Sequence, residues 1–349
     1  MSDIRENVLS MRGYTPGEQP RGQQILKLNT NENPYPPSPH VFTAIQEALT
    51  PDRLRKYPEP RGDTFRQAAA QVLNIDPNSI LIGNGSDDLL TILTRVYVPE
   101  KGLMVSPTPS YILYRTLAEI QGARFVQVPF TSDWQLPDPW PVQQAHLTLV
   151  PNPNSPSGTM VSHASLRQIA ELSPLVLDEA YADFADSNGL QLASKRIIVT
   201  RSFSKSYSLA GIRFGFAIAD PSVIHECEKV KDSYNCDVMS LAAATAAIQD
   251  QDYMAQVRQK IRNTRTRLQP IMENLGFQVT ESHANFLWCT RTDQPVEPIY
   301  QALKQRGILI RYMNYGEHGD GLRVTIGTDE QIDFFVQELT TILASCKIT

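Results

Sequence analysis

Residues 147–181 read LTLVPNPNSPSGTMVSHASLRQIAELSPLVLDEAY. Leu147-Thr148-Leu149-Val150 and Leu175-Val176-Leu177 are short apolar runs, and residues 163–172 between them follow a helical pattern. Two such runs joined through a helix predict parallel strands buried on both faces. The second run stops at Asp178-Glu179, acids that are costly to bury without a cationic partner. After the first comes Asn152-Pro153-Asn154-Ser155-Pro156-Ser157-Gly158, where two prolines and a glycine hold polar side chains in place. Open parallel sheets bind ligands at the C-terminal ends of their strands. Both strand ends are therefore candidate site positions.

The same alternation extends on either side. Ile80-Leu81-Ile82 leads through Gly83-Asn84-Gly85 into a helix near 86–97, and Leu103-Met104-Val105 precedes one near 110–121. Arg124 to Val128, Ile197-Ile198-Val199 and Phe214 to Ala219 read as further strands. The pattern predicts an α/β fold, with a mostly parallel central sheet and helices on both faces. After about residue 240 the texture changes to helices over 241–249 and 252–274. Asn285 to Trp288, Ile308 to Arg311 and Leu322 to Ile326 are strand-like, with a helix near 296–305 and a closing helix from 329. This reads as a smaller α+β domain. The first forty residues carry Pro16, Pro20, Pro34, Pro36, Pro37 and Pro39 and read as a loop-like arm. The expected division is an arm over 1–28, a large domain over 29–240 and a small domain over 241–349.

The chain has 349 residues, 41% of them hydrophobic and 20% charged, with a net charge of −5. This is globular composition, and it lacks the basic excess that drives phosphate-backbone binding, so nucleic acid is not an expected partner. No apolar run reaches the ~18 residues of a membrane span. The charged N-terminus MSDIRENVLSMRG lacks the apolar core of a signal peptide. Cys227, Cys236, Cys289 and Cys346 are widely and irregularly spaced, which reads as unpaired thiols in a reducing cytoplasm. The histidines show no metal-ligand spacing, so no metal is expected.

Four strand ends carry unusual chemistry. Gly83-Asn84-Gly85-Ser86-Asp87-Asp88 offers a tight turn and free N–H groups at a helix start, where phosphate binds. Asp87 and Asp88 must then turn their carboxylates away from the anion. The Asn-Pro loop is the second. Asp178-Glu179-Ala180-Tyr181 is the third, with the Tyr181 hydroxyl three residues from the acid. The fourth is Ser202-Phe203-Ser204-Lys205-Ser206-Tyr207-Ser208. A lone lysine there, partly desolvated, has a depressed pKa and serves as an amine nucleophile. Arg213, eight residues on, completes an anion cup with Ser204 and the Gly85-Ser86 turn. One ligand uses all of these parts: a phosphate for the cup, an aldehyde for Lys205, a ring nitrogen for Asp178 and a ring hydroxyl for Tyr181. That ligand is pyridoxal 5′-phosphate, whose protonated ring nitrogen makes it an electron sink. No Gly-x-Gly-x-x-Gly follows any strand, which argues against a nicotinamide site.

With these motifs the chain resembles the fold-type I pyridoxal-phosphate aminotransferases, and within them the histidinol-phosphate aminotransferase branch. Leu28-Asn29-Thr30-Asn31-Glu32-Asn33-Pro34, Lys56-Tyr57-Pro58, Gly211-Ile212-Arg213-Phe214-Gly215, Ala284-Asn285-Phe286 and Gly321-Leu322-Arg323-Val324-Thr325-Ile326-Gly327 join the Asp178 and Lys205 blocks in carrying the likeness. The resemblance implies amino transfer from histidinol phosphate to 2-oxoglutarate in histidine biosynthesis. An aromatic amino-acid aminotransferase and a threonine-phosphate decarboxylase share most of the motifs. It implies that Lys205 links to the cofactor covalently, that Asp178 holds the ring nitrogen and that Tyr181 meets the ring hydroxyl. Ser86, Asp87, Ser204 and Arg213 would surround the phosphate, and Tyr111 would lie against the ring. Tyr57 would reach the phosphate of a second subunit, making the active unit a homodimer. Tyr14, Arg311 and Arg323 would bind the substrate's anionic end. Relatives commonly carry asparagine directly before the second proline of the Asn-Pro loop, to meet the ring hydroxyl. Here Ser155 stands at that position, and either it or Asn154 from a shifted backbone takes the role; Asn154 is the residue assigned.

Overall fold

The computed structural model describes residues 3–13, 17–18 and 25–346. The arm is not continuous loop. It contains the five-residue helix α1 (Glu6–Ser10) and the short strand β1 (Leu26–Lys27). Pro39 opens α2 (Pro39–Ala48) instead of extending the loop. Proline is tolerated at a first helical position, and Ser38 caps the turn by accepting from the His40 N–H. Two more helices follow, α3 (Pro51–Leu54) and α4 (Asp63–Leu73).

The central sheet has seven strands: β2 (Ile80–Gly83), β3 (Leu103–Thr108), β4 (Arg124–Pro129), β5 (Leu147–Pro151), β6 (Leu175–Asp178), β7 (Ile197–Ser202) and β8 (Gly215–Ile218). Their order is β2-β8-β7-β6-β5-β3-β4, and all but β8 run parallel. The crossovers are α5 (Ser86–Tyr97), α6 (Leu113–Gln121) and α7 (His163–Leu172), and α8 (Pro221–Glu228) follows β8. Alternate side chains divide the strands between two helical layers. Val176 and Ile198 join Leu89 and Leu93 of α5 on one face. Leu175, Leu177, Ile197 and Val199 join Leu166 and Ile169 of α7 on the other. Burial on both faces is why these strands read as unbroken apolar runs.

Next come α9 (Val238–Gln249) and α10 (Gln251–Asn274), capped by Asp237 and Asp250. Leu241, Ala243, Ala244, Ala247 and Ile248 of α9 share a core with Ile80, Ile82 and the alanines of α4, whereas Val257, Ile261 and Leu268 of α10 belong to the C-terminal core. The boundary read at residue 240 therefore moves to the α9–α10 junction. The small domain holds β9 (Gln278–Val279), β10 (Phe286–Thr290), α11 (Glu297–Gln305), β11 (Ile308–Leu309), β12 (Arg311–Asn314), β13 (Asp320–Thr325) and α12 (Asp329–Cys346). Its antiparallel sheet has the order β12-β13-β10-β9. The single strand expected over 308–311 splits because β11 pairs with β1 of the arm, while β12 pairs with β13. Among the described residues no helix is long and apolar enough to cross a membrane.

Strand register builds two rows at one sheet edge. Pro151, Asp178 and Thr200 are neighbours across β5, β6 and β7. Gly83, Gly215 and Ser202 are neighbours across β2, β8 and β7.

Candidate active site

A cavity of about 590 Å³ opens over these two rows and is closed from the other side by the small domain. Ser86, Asp87, Tyr111, Asp178, Tyr181, Ser204, Lys205, Arg213, Arg311 and Arg323, all expected from sequence, line it.

At its base is a cup. Gly85 (φ +82°) turns β2 into α5, leaving the first N–H groups of that helix facing the cavity edge. Neither neighbouring glycine tolerates a side chain. A Cβ on Gly85 would lie 2.8 Å from Arg213 Nη2, and one on Gly215 would lie 2.9 Å from the Ser86 nitrogen. Arg213, itself left-handed (φ +56°), donates to Ser204 Oγ at 3.3 Å. Its Nη2 is 3.5 Å from Asp87 Oδ2, and the Tyr111 hydroxyl donates to Asp87 Oδ1 at 3.2 Å. The Asp87 carboxylate is thus held by an arginine and a tyrosine.

Asp178 sits at the end of β6, buried. Tyr114 donates to its Oδ2 at 2.8 Å, and Thr200 Oγ1 and the Ala180 N–H approach its Oδ1 at 3.4 and 3.3 Å. Burial pushes its carboxyl up to about 6, against the pull of the Tyr114 hydrogen bond. A ligand cation placed against it would favour the ionised form. Lys205 lies across the cavity, its Nζ donating to the Thr30 carbonyl at 3.0 Å. Burial, reinforced by Arg323, brings its amine down to about 8, so a large fraction is neutral near that pH. The next acid, Glu179, does not face the ligand. It is paired with Arg201 at 2.9 Å, and Arg201 bonds Asp183 at 2.7 Å beneath the lysine loop.

The small domain supplies Arg311 and Arg323, which are directly opposite each other on β12 and β13. Like charges on a cross-strand pair repel, and an anion between them turns that cost into binding. Arg323 Nη1 donates to Ser155 Oγ at 2.8 Å and its Nη2 to the Asn29 carbonyl at 3.0 Å.

Asn154 corrects the sequence reading. Its side chain is buried away from the cavity, donating to the Pro109 carbonyl at 3.2 Å and to Ser157 Oγ at 3.0 Å. Those bonds close the Asn-Pro loop on itself and leave Ser155 as the cavity-lining residue. Tyr57 is 80% exposed, stacks on Tyr234 at 4.4 Å and is not part of this chain's cavity lining. Tyr14 lies outside the described residues. Tyr114, Thr200 and Asn31 were assigned no role from sequence. Asn31 stands inside the Asn-rich segment quoted above, and Tyr114 falls within α6, where nothing in the sequence marks it as a partner of Asp178.

The residues present fit pyridoxal phosphate. The cup joins the Arg213 guanidinium and the Ser204 hydroxyl to the start of α5, the buried Asp178 suits a ligand cation, and a lysine of lowered pKa lines the same cavity as Arg311 and Arg323. The chain belongs to the class I and II aminotransferases, whose family model matches residues 23–339. Pyridoxal phosphate is the cofactor of that class. More narrowly, the chain is 52% identical to the histidinol-phosphate aminotransferase of Rhodopirellula baltica, over 99% of this chain and 97% of that protein. It is 44% identical to histidinol-phosphate aminotransferase 1 of a Nostoc species, over 98% of each. The crystal structure of histidinol-phosphate aminotransferase from Sinorhizobium meliloti in complex with pyridoxal-5′-phosphate superposes with a TM-score of 0.89 at 26% identity, covering 99% of both chains.

Proposed function

We propose that this chain transfers the amino group of L-histidinol phosphate to 2-oxoglutarate, giving imidazole acetol phosphate and glutamate, as a cytoplasmic homodimer in histidine biosynthesis. The observation that carries the substrate assignment is the facing pair Arg311 and Arg323 at the cavity that also holds Lys205. A phosphate monoester carries nearly two negative charges, and two guanidiniums match it better than they match the single carboxylate of an amino acid. Exposed Tyr57, ready to reach a neighbouring cavity, supports the dimer.

The cup of Ser86, Ser204 and Arg213 would hold the cofactor phosphate. Asp178 would hold the ring nitrogen and Tyr181 the ring hydroxyl, with Tyr111 beside the ring. Pyridoxal phosphate, when bound, supplies an electron sink for the negative charge that develops when the substrate loses its α-proton. The protein supplies the base. Lys205, its amine brought down to about 8, would act as the base that removes the substrate α-proton and, once protonated, as the acid that gives it up again. The arginines fix the far end of the substrate, so the α-carbon is presented to that amine.

An absorbance titration tests the reading. Enzyme loaded with pyridoxal phosphate is expected to lose its yellow colour on adding histidinol phosphate and to regain it with 2-oxoglutarate. Retained colour with histidinol phosphate, and loss with tyrosine or phenylalanine, would replace the substrate by an aromatic amino acid.

A further inference from the structure

Asn31 occupies the seam between the two domains. It is buried and left-handed (φ +56°), and its polar groups are engaged on both sides. Its Nδ2 meets the Tyr181 hydroxyl at 2.9 Å, its Oδ1 meets Thr325 Oγ1 at 3.0 Å, and its carbonyl accepts from Asn285 Nδ2 at 3.0 Å. The backbone N–H of Asn31 also points at Thr325 Oγ1, at 3.0 Å. The threonine oxygen accepts there and donates its own proton to Asn31 Oδ1. That orients the amide, leaving Nδ2 toward Tyr181. An amide NH₂ cannot accept. Tyr181 must therefore accept from Asn31 and has its own proton left to donate into the cavity.

We infer that Asn31 is a positioning residue that sets the polarity of the Tyr181 hydroxyl, making it a donor to the cofactor's ring oxygen, and that Thr325 ties this setting to the strand bearing the substrate-binding Arg323. The inference rests on the cofactor reading above. Thr325 follows Arg323 by two residues on β13, so both side chains share one face of the strand. The charged groups around Tyr181 are Arg323 from β13, Asp178 from the end of β6, Asp87 from the start of α5 and Lys205, whose ammonium lies 5.8 Å from the tyrosine ring. Asn31 is neutral, and its contribution is directional.

The test is Asn31→Asp, which is nearly isosteric and tolerates the left-handed backbone. A carboxylate is acceptor-only, so it would capture the Tyr181 proton and take the donor from the ring oxygen. Wild type, N31D, Y181F and the double variant are each loaded with pyridoxal phosphate. The pH midpoint of the cofactor's absorbance change and its dissociation constant are then measured. The expected result is an upward shift of about one pH unit and about tenfold weaker binding in N31D, with most of both effects gone when the substitution is made in Y181F. An unchanged midpoint, or the same shift with and without the Tyr181 hydroxyl, overturns the inference. Thr325→Val, which keeps the volume and frees the amide to rotate, carries the test if N31D does not fold. It should shift the midpoint in the same direction by a smaller amount, and no shift would overturn the inference. A colourless wild type would instead overturn the cofactor reading itself.

Discussion

The large domain and the small domain meet the same cavity by opposite means. The large domain uses the ends of buried parallel strands. β6 is apolar until its last residue, Asp178, β7 turns polar from Thr200, and the loops after β7 and β2 carry Lys205 and the Gly85 turn. Two of the large domain's acids are held by neighbouring side chains: Asp178 by Tyr114, and Asp87 by Arg213 and Tyr111. The small domain uses an antiparallel pair, where Arg311, the first residue of β12, faces Arg323 of β13. The first arrangement is the one proposed to hold the cofactor. The second places like charges together, which favours an anion that comes and goes. The lesson is that permanence and exchange are written into different kinds of secondary structure.

Lys205→Ala removes the centre of the large-domain half and should have the largest effect. Losing both the covalent attachment and the proton shuttle is expected to lower kcat by ~10⁴-fold or more, read by steady-state turnover of histidinol phosphate. Near-normal turnover would break the assignment.

Asp178→Asn separates binding from stability. A carboxyl raised from 3.8 to about 6 by burial is ionised at a cost in the cofactor-free fold. That cost is present above pH ~6 and absent below pH ~4, where the group is protonated in both folded and unfolded states, and it amounts to about 2–3 kcal/mol at neutral pH. The cofactor-free D178N protein should therefore melt no lower than wild type at pH 7.5, with the difference vanishing near pH 4. Its kcat/KM with cofactor should fall by ~100-fold or more. A D178N protein that melts well below wild type at pH 7.5 would mean that the carboxylate stabilises the fold rather than serving the cofactor.

Much of this was legible in the sequence. The parallel strands announced themselves because burial on both faces leaves no polar alternation, and the helix over 86–97 falls where α5 was found. The residues proposed to meet the cofactor stand out in the sequence because each is chemically out of place: an acid after Leu177, a lysine among serines, glycines before a helix. Tertiary choices were not. The α9 helix is alanine-rich and takes its domain from what it packs on, so the boundary came out ten residues early. Ile308 to Arg311 carries no mark that Leu309 pairs with Lys27 while Arg311 pairs with Arg323. Asn154 was misplaced because hydrogen bonds to Pro109 and Ser157 decide which side chain of the loop faces the ligand. Asn31 was hidden because its role exists only where Tyr181 and Thr325, far apart in sequence, converge on it.

The two domains are proposed to divide the work, cofactor on one side and substrate anion on the other. Comparing kcat/KM for histidinol phosphate and unphosphorylated histidinol, in wild type, Arg311→Gln and Arg323→Gln, tests it most directly. Wild type is expected to prefer the phosphate ester strongly. That preference should fall by ~10–100-fold in each variant, the range expected for losing charge-assisted hydrogen bonds, while the absorbance of the bound cofactor stays unchanged. A preference that survives both substitutions would contradict it.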